Sequence, residues 1–343
     1  MKALVYHGPG ERVWEEKPYP VIQQATDAIV RVTHTTICGT DLHILKGDVP
    51  TCEAGRTLGH EGVGVVESVG EGVGTIKVGD RVLISCISSC GRCDYCKRGI
   101  YAHCRDGGWI LGHRIDGTQA EYVRIPHADN SLYQVPERLP SEAAVMLSDI
   151  LPTGHEIGAL NGEVGLGDTV AIVGAGPIGL AALLTARFYS PARIIAIDPD
   201  ENRLAMARTL GATDTLSGDA VSSVMAMTDG EGVDVAMEAV GIPETFDTCQ
   251  QIVRPGGHIA NIGVHGTSVS LRLEDLWIKN VTVRTGLVNT NTIPVLMRFV
   301  EAGGVDAASL ITHRLELADI EHAYDLFADA AQQRAIKMIL TAA

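Results

Sequence analysis

The run "DTVAIVGAGPIGLAALLTARFY", residues 168–189, constrains the fold more than any other part of the chain. Gly174, Gly176 and Gly179 form G-x-G-x-x-G directly after a β-branched apolar run and directly before a longer apolar one. That context predicts a buried strand, a tight turn and a helix that starts at Pro177 and Ile178. Such a turn lets backbone amides at a helix N-terminus approach a pyrophosphate closely. Asp198 ends the next predicted strand, "RIIAID", nineteen residues beyond Gly179. A carboxylate there accepts hydrogen bonds from ribose hydroxyls and repels a 2′-phosphate, which favours NAD over NADP. Arg203, five residues on, has two readings: a contact to ribose or phosphate, or a solvated helix arginine.

The same run raises a membrane question, because Thr169 to Ala186 are uncharged. Eighteen such residues reach the lower limit for a span. The central "GAGPIG" argues for strand, turn and helix instead. Beyond it, "GVDVAMEAVG", "PETFDTCQQIVRPGG", "HIANIGV" and "VTVRTG" continue an alternation of strands and mostly helical segments. This is the pattern of a doubly wound parallel sheet of Rossmann type. Before residue 150 the pattern differs. "DAIVRVT", "GVGVVESVG", "GDRVLIS" and "AEYVRIP" are short runs broken by Gly and Asp, as in a compact, mostly antiparallel β domain. At 343 residues the chain suits about two domains. The tail, ending in "RAIKMIL", packs back onto one of them. A net charge of −15 argues against nucleic acid or an anionic membrane as the main partner. The opening residues carry no basic-then-apolar leader, so the cytoplasm is the expected compartment.

In that compartment thiols stay reduced, and cysteine clusters point to metal. Four of the eight cysteines fall in "CGRCDYCKRGIYAHC", residues 90–104. The spacing of Cys90, Cys93, Cys96 and Cys104 is C-x2-C-x2-C-x7-C, which suits a closed, tetrahedral, structural zinc. The rival is an iron–sulfur cluster. That motif closes with x3 and a proline, and this loop has neither. Cys52 and Cys249 fit neither motif and read as free thiols.

Cys38 in "TICGTDLHI" (36–44) and His60 in "TLGHEGVG" (57–64) sit among glycines and strands, where spacing alone assigns nothing. Taken in order with the four-cysteine loop and the Gly174 fingerprint, these segments resemble the zinc-containing medium-chain alcohol dehydrogenases along essentially the whole chain. The resemblance implies a GroES-like catalytic domain over 1–150 and 288–343 and a Rossmann NAD-binding domain over 151–287. It implies two zinc ions, the catalytic one held by Cys38, His60 and a third residue from "AAVMLSDILPTGHE". The candidates are Asp149, His155 and Glu156. Asp149 is preferred, because the family's third ligand precedes the domain crossover. Aspartate there resembles the bacterial secondary-alcohol branch, whereas polyol-oxidising members carry glutamate.

Glu61 is by the same resemblance an intermittent fourth ligand, and Asp41 orients His60. Thr40 and His43 form the proton relay, with a turn residue and a surface histidine as the alternatives. Thr153 packs on the nicotinamide, whose carboxamide Ile262 and Val264 border. Trp109 lines the substrate pocket, with core packing as its alternative. One departure leaves the substrate branch open: bacterial enzymes with that tryptophan and aspartate often lack the four-cysteine loop. The implied activity is hydride transfer between NAD and small or medium alcohols. Other readings are a polyol or threonine-type dehydrogenase, or a non-catalytic NAD-binding or metal-sensing protein. The family further implies a homo-oligomer, more often a tetramer than a dimer.

Overall fold

A computed structural model describes residues 1–342. The chain divides into two compact units, one of Ile150–Val288 and one of Met1–Asp149 together with the chain from Asn289 onward.

The inserted unit is built on a six-stranded parallel sheet. Its order is Asp214–Leu216, Arg193–Ile197, Thr169–Val173, Val233–Glu238, Val253–Asn261 and Thr282–Thr285. Numbered along the chain this is 3-2-1-4-5-6, the doubly wound order. Thr169–Val173 lies between two strands and buries every residue after Thr169. The helix Pro177–Ala186 carries no charged residue and is buried from Gly179 onward. The uncharged run is thus strand, turn and helix. Among the described residues no helix is long and apolar enough to cross a membrane.

The segment after the fourth strand is mostly helical, as expected. In "PETFDTCQQIVRPGG" the helix stops at Ile252, and Val253–Asn261 is already strand. Pro255 disfavours helix for the residue before it, and the strand absorbs the disruption as a register shift opposite Val233 and Val235.

The other unit is mostly antiparallel. Ala28–Thr36 is its centre, paired with Gly62–Val69, Tyr122–Ile125 and the late strand Lys337–Thr341. Lys337–Thr341 also pairs in parallel with Ile311–Glu316, so the tail completes this sheet. A three-stranded sheet of Glu11–Glu16, Lys2–Gly8 and Arg56–Thr57 stands beside it. One core cluster joins Leu4, Ile37, Ile44, Leu58, Tyr324, Phe327 and Met338. A second joins Val30, Val66, Val82, Ile84 and Ile125. Each fully buried aliphatic side chain of this kind contributes about 1.5–3 kcal/mol.

Candidate metal centre and coenzyme cradle

The glycine turn has the geometry that its sequence predicts. Gly174 adopts φ +103°, and a Cβ there would lie 2.5 Å from Val240 Cγ2. A Cβ on Gly179 would lie 1.8 Å from the Gly174 carbonyl oxygen, so only glycine lets the helix start this close to the strand. Gly176 caps the helix, and a Cβ there would meet nothing nearer than Arg203 Nη1 at 3.9 Å. Gly176, Pro177 and Ile178 form the half-buried rim of the turn.

Asp198 closes the strand Arg193–Ile197 and is almost fully buried. Its Oδ2 accepts the Ala175 N–H at 2.8 Å and its Oδ1 accepts the Asp200 N–H at 2.9 Å. The carboxylate therefore ties the glycine turn to the end of the second strand. Arg203, about one-third exposed, has Nη1 3.6 Å from Asp198 Oδ2 and Nε 3.9 Å from Asp200 Oδ2. Thr153 ends a short helix, Ile150–Thr153. Ile262 is buried while Val264 is two-thirds exposed, so these two present different surfaces.

In the other unit, Cys38 caps the helix Gly39–Lys46 just past the central strand, and its backbone N–H donates to Asp41 Oδ2 at 2.9 Å. His60 ends the loop before Gly62–Val69. Asp149 comes from the far end of this unit's first segment. Donor atoms of Cys38, His60 and Asp149 all lie within 4.8 Å of one another. Asp149 Oδ2 is 3.3 Å from His60 Nε2 and 3.8 Å from Cys38 Sγ. His155 and Glu156, the other candidates for the third position, lie in the π-helical turn Gly154–Leu160 of the inserted unit, where His155 Nε2 bonds Tyr189 at 2.8 Å.

The surroundings are buried and rich in negative charge. Tyr324 donates to Gln119, and Gln119 Nε2 donates to Asp41 Oδ2 at 3.1 Å. Asp41 Oδ1 then faces His60 Nδ1 at 3.7 Å, an electrostatic contact longer than a hydrogen bond. Burial pulls the His60 imidazolium down, but Asp149, Cys38 and Asp41 outweigh it and hold the group well above its ordinary value. Asp41 Oδ1 and Glu61 Oε1 are buried without a hydrogen-bond partner. A thiol, an imidazole and a carboxylate around a site that favours positive charge fit zinc, and three protein donors leave one tetrahedral position open.

Glu61 stands outside this three-residue cluster. Its Oε2 takes the Lys337 ammonium at 2.5 Å and the Thr36 hydroxyl. Lys337 is almost wholly buried and also donates to the Ile37 carbonyl at 3.3 Å. Sequence reasoning assigned Lys337 no role, although a lysine inside the apolar run "AIKMIL" is the available signal. Cys86 was missed too. Burial, then the nearby Asp149 and Glu61 charges, push its thiol well up, so it stays protonated and is a hydrogen-bond partner for Asp149.

Thr40 Oγ1 lies 3.7 Å from Cys38 Sγ. His43 Nδ1 bonds Asp48 Oδ2 at 2.8 Å, and its ring is over one-third exposed. Trp109 packs on the first core cluster and stands edge-on to His60, ring centres 6.4 Å apart.

The four-cysteine loop is a second cluster, with its donor atoms within 4.8 Å of one another. The Cys90 N–H points at Cys104 Sγ (3.2 Å) and the Cys96 N–H at Cys93 Sγ (3.5 Å). Backbone amides of Arg105 and Cys96 draw the Cys93 thiol down to about 6, whereas burial pushes Cys96 up to about 12. Four clustered sulfurs, with N–H donors aimed at those of Cys93 and Cys104, suit a thiolate-bound zinc. All eight cysteines are free thiols.

Comparison with known proteins agrees with this geometry. The family described as "Alcohol dehydrogenase GroES-like domain" matches residues 24–137, and "Zinc-binding dehydrogenase" matches residues 177–302. An alcohol dehydrogenase from Cupriavidus necator is 38% identical over 357 aligned residues, covering 96% of this chain and 95% of the other. The NADP-dependent isopropanol dehydrogenase of Thermoanaerobacter brockii is 34% identical, with 96% of each chain covered. The solved structure of zinc-dependent alcohol dehydrogenase 2 from Streptococcus pneumonia, in its apo form, superposes with a TM-score of 0.96. It is 56% identical and covers 100% of this chain and 98% of its own. With both domains matched and relatives aligned end to end, the chain belongs to the zinc-containing medium-chain alcohol dehydrogenases.

Proposed function

We propose that this enzyme uses NAD to interconvert small or medium secondary alcohols and ketones, with a catalytic zinc on Cys38, His60 and Asp149 and a structural zinc on Cys90, Cys93, Cys96 and Cys104. The observation that carries the proposal is the convergence of Cys38, His60 and Asp149 from distant parts of the chain onto one point, with His60 buried and the other two half-buried. When bound, zinc supplies a Lewis acid, able to lower the pKa of bound water from 15.7 to about 7, and NAD supplies the hydride acceptor.

The chain's own residues do the rest. Asp41 and its Gln119–Tyr324 chain keep the His60 ring oriented. Lys337 and Thr36 hold Glu61 by one oxygen and leave the other unpaired beside the donor cluster, as an intermittent ligand requires. Thr40, beside Cys38, accepts the alcohol's proton in this reading, which its contact with the Cys38 sulfur supports. His43, three residues later on the same helix face, passes it to solvent, with Asp48 fixing the ring by Nδ1. Thr153, Ile262 and Val264 border the nicotinamide, and Trp109 forms a wall of the substrate pocket.

Asp198 supports NAD over NADP by charge, although the isopropanol-oxidising relative is named for NADP. That relative's name favours secondary alcohols, and aspartate in place of glutamate at position 149 counts against a polyol substrate. A scaffold that had lost catalysis would have no reason to keep the three donors together. The edge strand Thr282–Thr285, flanked by the well-exposed Trp277 and Ile278, supports a homo-oligomer, with a tetramer as our expectation. The cytoplasm remains the expected compartment.

A coenzyme-reduction screen over secondary alcohols, primary alcohols, diols and threonine, paired with metal analysis, tests the proposal. We expect NAD reduction with secondary alcohols and about two zinc ions per chain, the count its two donor clusters can hold. Turnover confined to diols or threonine, or one zinc per chain, refutes it.

A further inference from the structure

The geometry points to His113 as the positioning residue that holds Trp109 in place and thereby sets which alcohols the pocket accepts. This rests on the dehydrogenase reading above. The imidazole of His113 stacks on the indole of Trp109, ring centres 4.4 Å apart and planes 29° from parallel. It is almost fully buried, so one face of the tryptophan is covered by a ring that itself cannot move freely.

Both ring nitrogens are engaged. Nδ1 lies 3.3 Å from the Trp109 carbonyl oxygen and Nε2 lies 2.5 Å from Thr51 Oγ1. The carbonyl can only accept, so Nδ1 carries the hydrogen and Nε2 accepts from the Thr51 hydroxyl. Burial pulls the imidazole below its ordinary value, which agrees with a neutral ring.

The turn beneath the stack is anchored to the metal-ligand loop. The N–H groups of His113, Arg114 and Ile115 all converge on the Ile110 carbonyl. Gly112 at φ +67° sits so close to Gly59 that a Cβ would fall 2.6 Å from the Gly59 nitrogen. Gly59 precedes His60, which Trp109 meets edge-on at 6.4 Å. Trp109 is thus fixed relative to the reacting centre by a chain of short contacts: Gly59 to Gly112, Gly112 to His113, and His113 to the indole face. Without the imidazole the indole gains room on its covered side, and the space beside His60 enlarges.

The test compares kcat/KM for 2-octanol and 2-propanol in the zinc-loaded enzyme. In His113→Ala the 2-octanol to 2-propanol ratio is expected to rise about tenfold, the scale of one pocket-wall contact. The change should lie mainly in KM, with zinc content and the KM for NAD unaltered. His113→Phe keeps a stacking ring and should restore the wild-type ratio. A second readout does not depend on turnover. With Trp14 and Trp277 replaced by Phe, Trp109 emission should shift to the red in His113→Ala and return in His113→Phe. An unchanged ratio in His113→Ala overturns the inference, as does an equal change in His113→Phe. If the wild-type enzyme reduces no coenzyme with any alcohol, the dehydrogenase reading and the selectivity role fall together, and the emission alone then decides whether His113 positions Trp109.

Discussion

Lys337→Met leaves Glu61 with a buried carboxylate and no cation beside it, and the consequence can be worked through. The pair is 2.5 Å apart with both side chains at most 2% exposed, so solvent screens neither charge. Removing one partner of such a pair costs about 3–5 kcal/mol, most of it the uncompensated charge left behind. Against a whole-domain stability of about 5–15 kcal/mol this is a large fraction. Glu61 escapes by keeping a proton, since burial already pushes its carboxyl up and Lys337 is the main opposing influence. The variant's carboxyl is therefore held well above its unfolded-chain value, burial being the main cause once the Lys337 ammonium is gone.

The sign of the pH dependence follows. Between those two pKa values the native state binds more protons than the unfolded one, so stability falls as pH rises through that window. Lys337→Met should therefore lie close to wild type near pH 5 and lose most stability by pH 8. Urea denaturation of the metal-free protein, followed by Trp14 and Trp109 fluorescence in a Trp277→Phe background, reports on this unit alone. Adding Glu61→Gln should recover much of the loss and flatten the pH dependence. A loss that is independent of pH, or a double variant no better than the single one, would refute the reasoning.

The two metal sites should separate cleanly. Cys38→Ala is expected to lose one zinc and at least about a hundredfold in turnover while staying folded; a variant that keeps both metals and full activity would sink the assignment. Cys90→Ala should lose the other zinc and make the loop 90–104 protease-sensitive, since thiolate-bound zinc supplies about 10–16 kcal/mol in small peptides. Asp198→Gly removes charged hydrogen bonds worth about 1.5–3 kcal/mol, so the NAD over NADP preference should drop about ten- to hundredfold in kcat/KM. His43→Ala should slow alcohol oxidation most near neutral pH and less in alkaline buffer, where solvent hydroxide takes the proton; an unchanged pH profile would argue against the relay.

What could be read from the sequence follows the distance over which each feature is encoded. The glycine turn and the four-cysteine loop are local, and each is carried by residues of one type at fixed spacing. Both were legible without a structure. The doubly wound parallel sheet was expected because strands and helices alternate with little interruption. Cys38, His60 and Asp149 were named only through family resemblance, since no local spacing joins residues so far apart. Lys337 was missed for the same reason, as its carboxylate partner lies 276 positions away. Cys86 looks like any buried cysteine until Asp149 is placed beside it. His113 is a histidine in a turn, and only the stack on Trp109 gives it meaning.

The strand Lys337–Thr341 has a consequence for how the molecule is made. The inserted unit is one continuous stretch of chain, so a ribosome that has released it has released everything its sheet requires. The other unit waits. Its central strand gains Gly62–Val69 along one edge and Tyr122–Ile125 beside Ala28–Arg31 on the other, but His34–Thr36 on that second edge stays open until Lys337–Thr341 emerges. Until then Glu61 has no ammonium, and an apolar sheet edge stands uncovered. The order of birth is thus coenzyme unit first and metal unit last, although the metal unit's ligands are among the earliest residues synthesised. Premature stop codons after residue 330 should therefore leave the coenzyme unit folded and the metal unit a substrate for proteases.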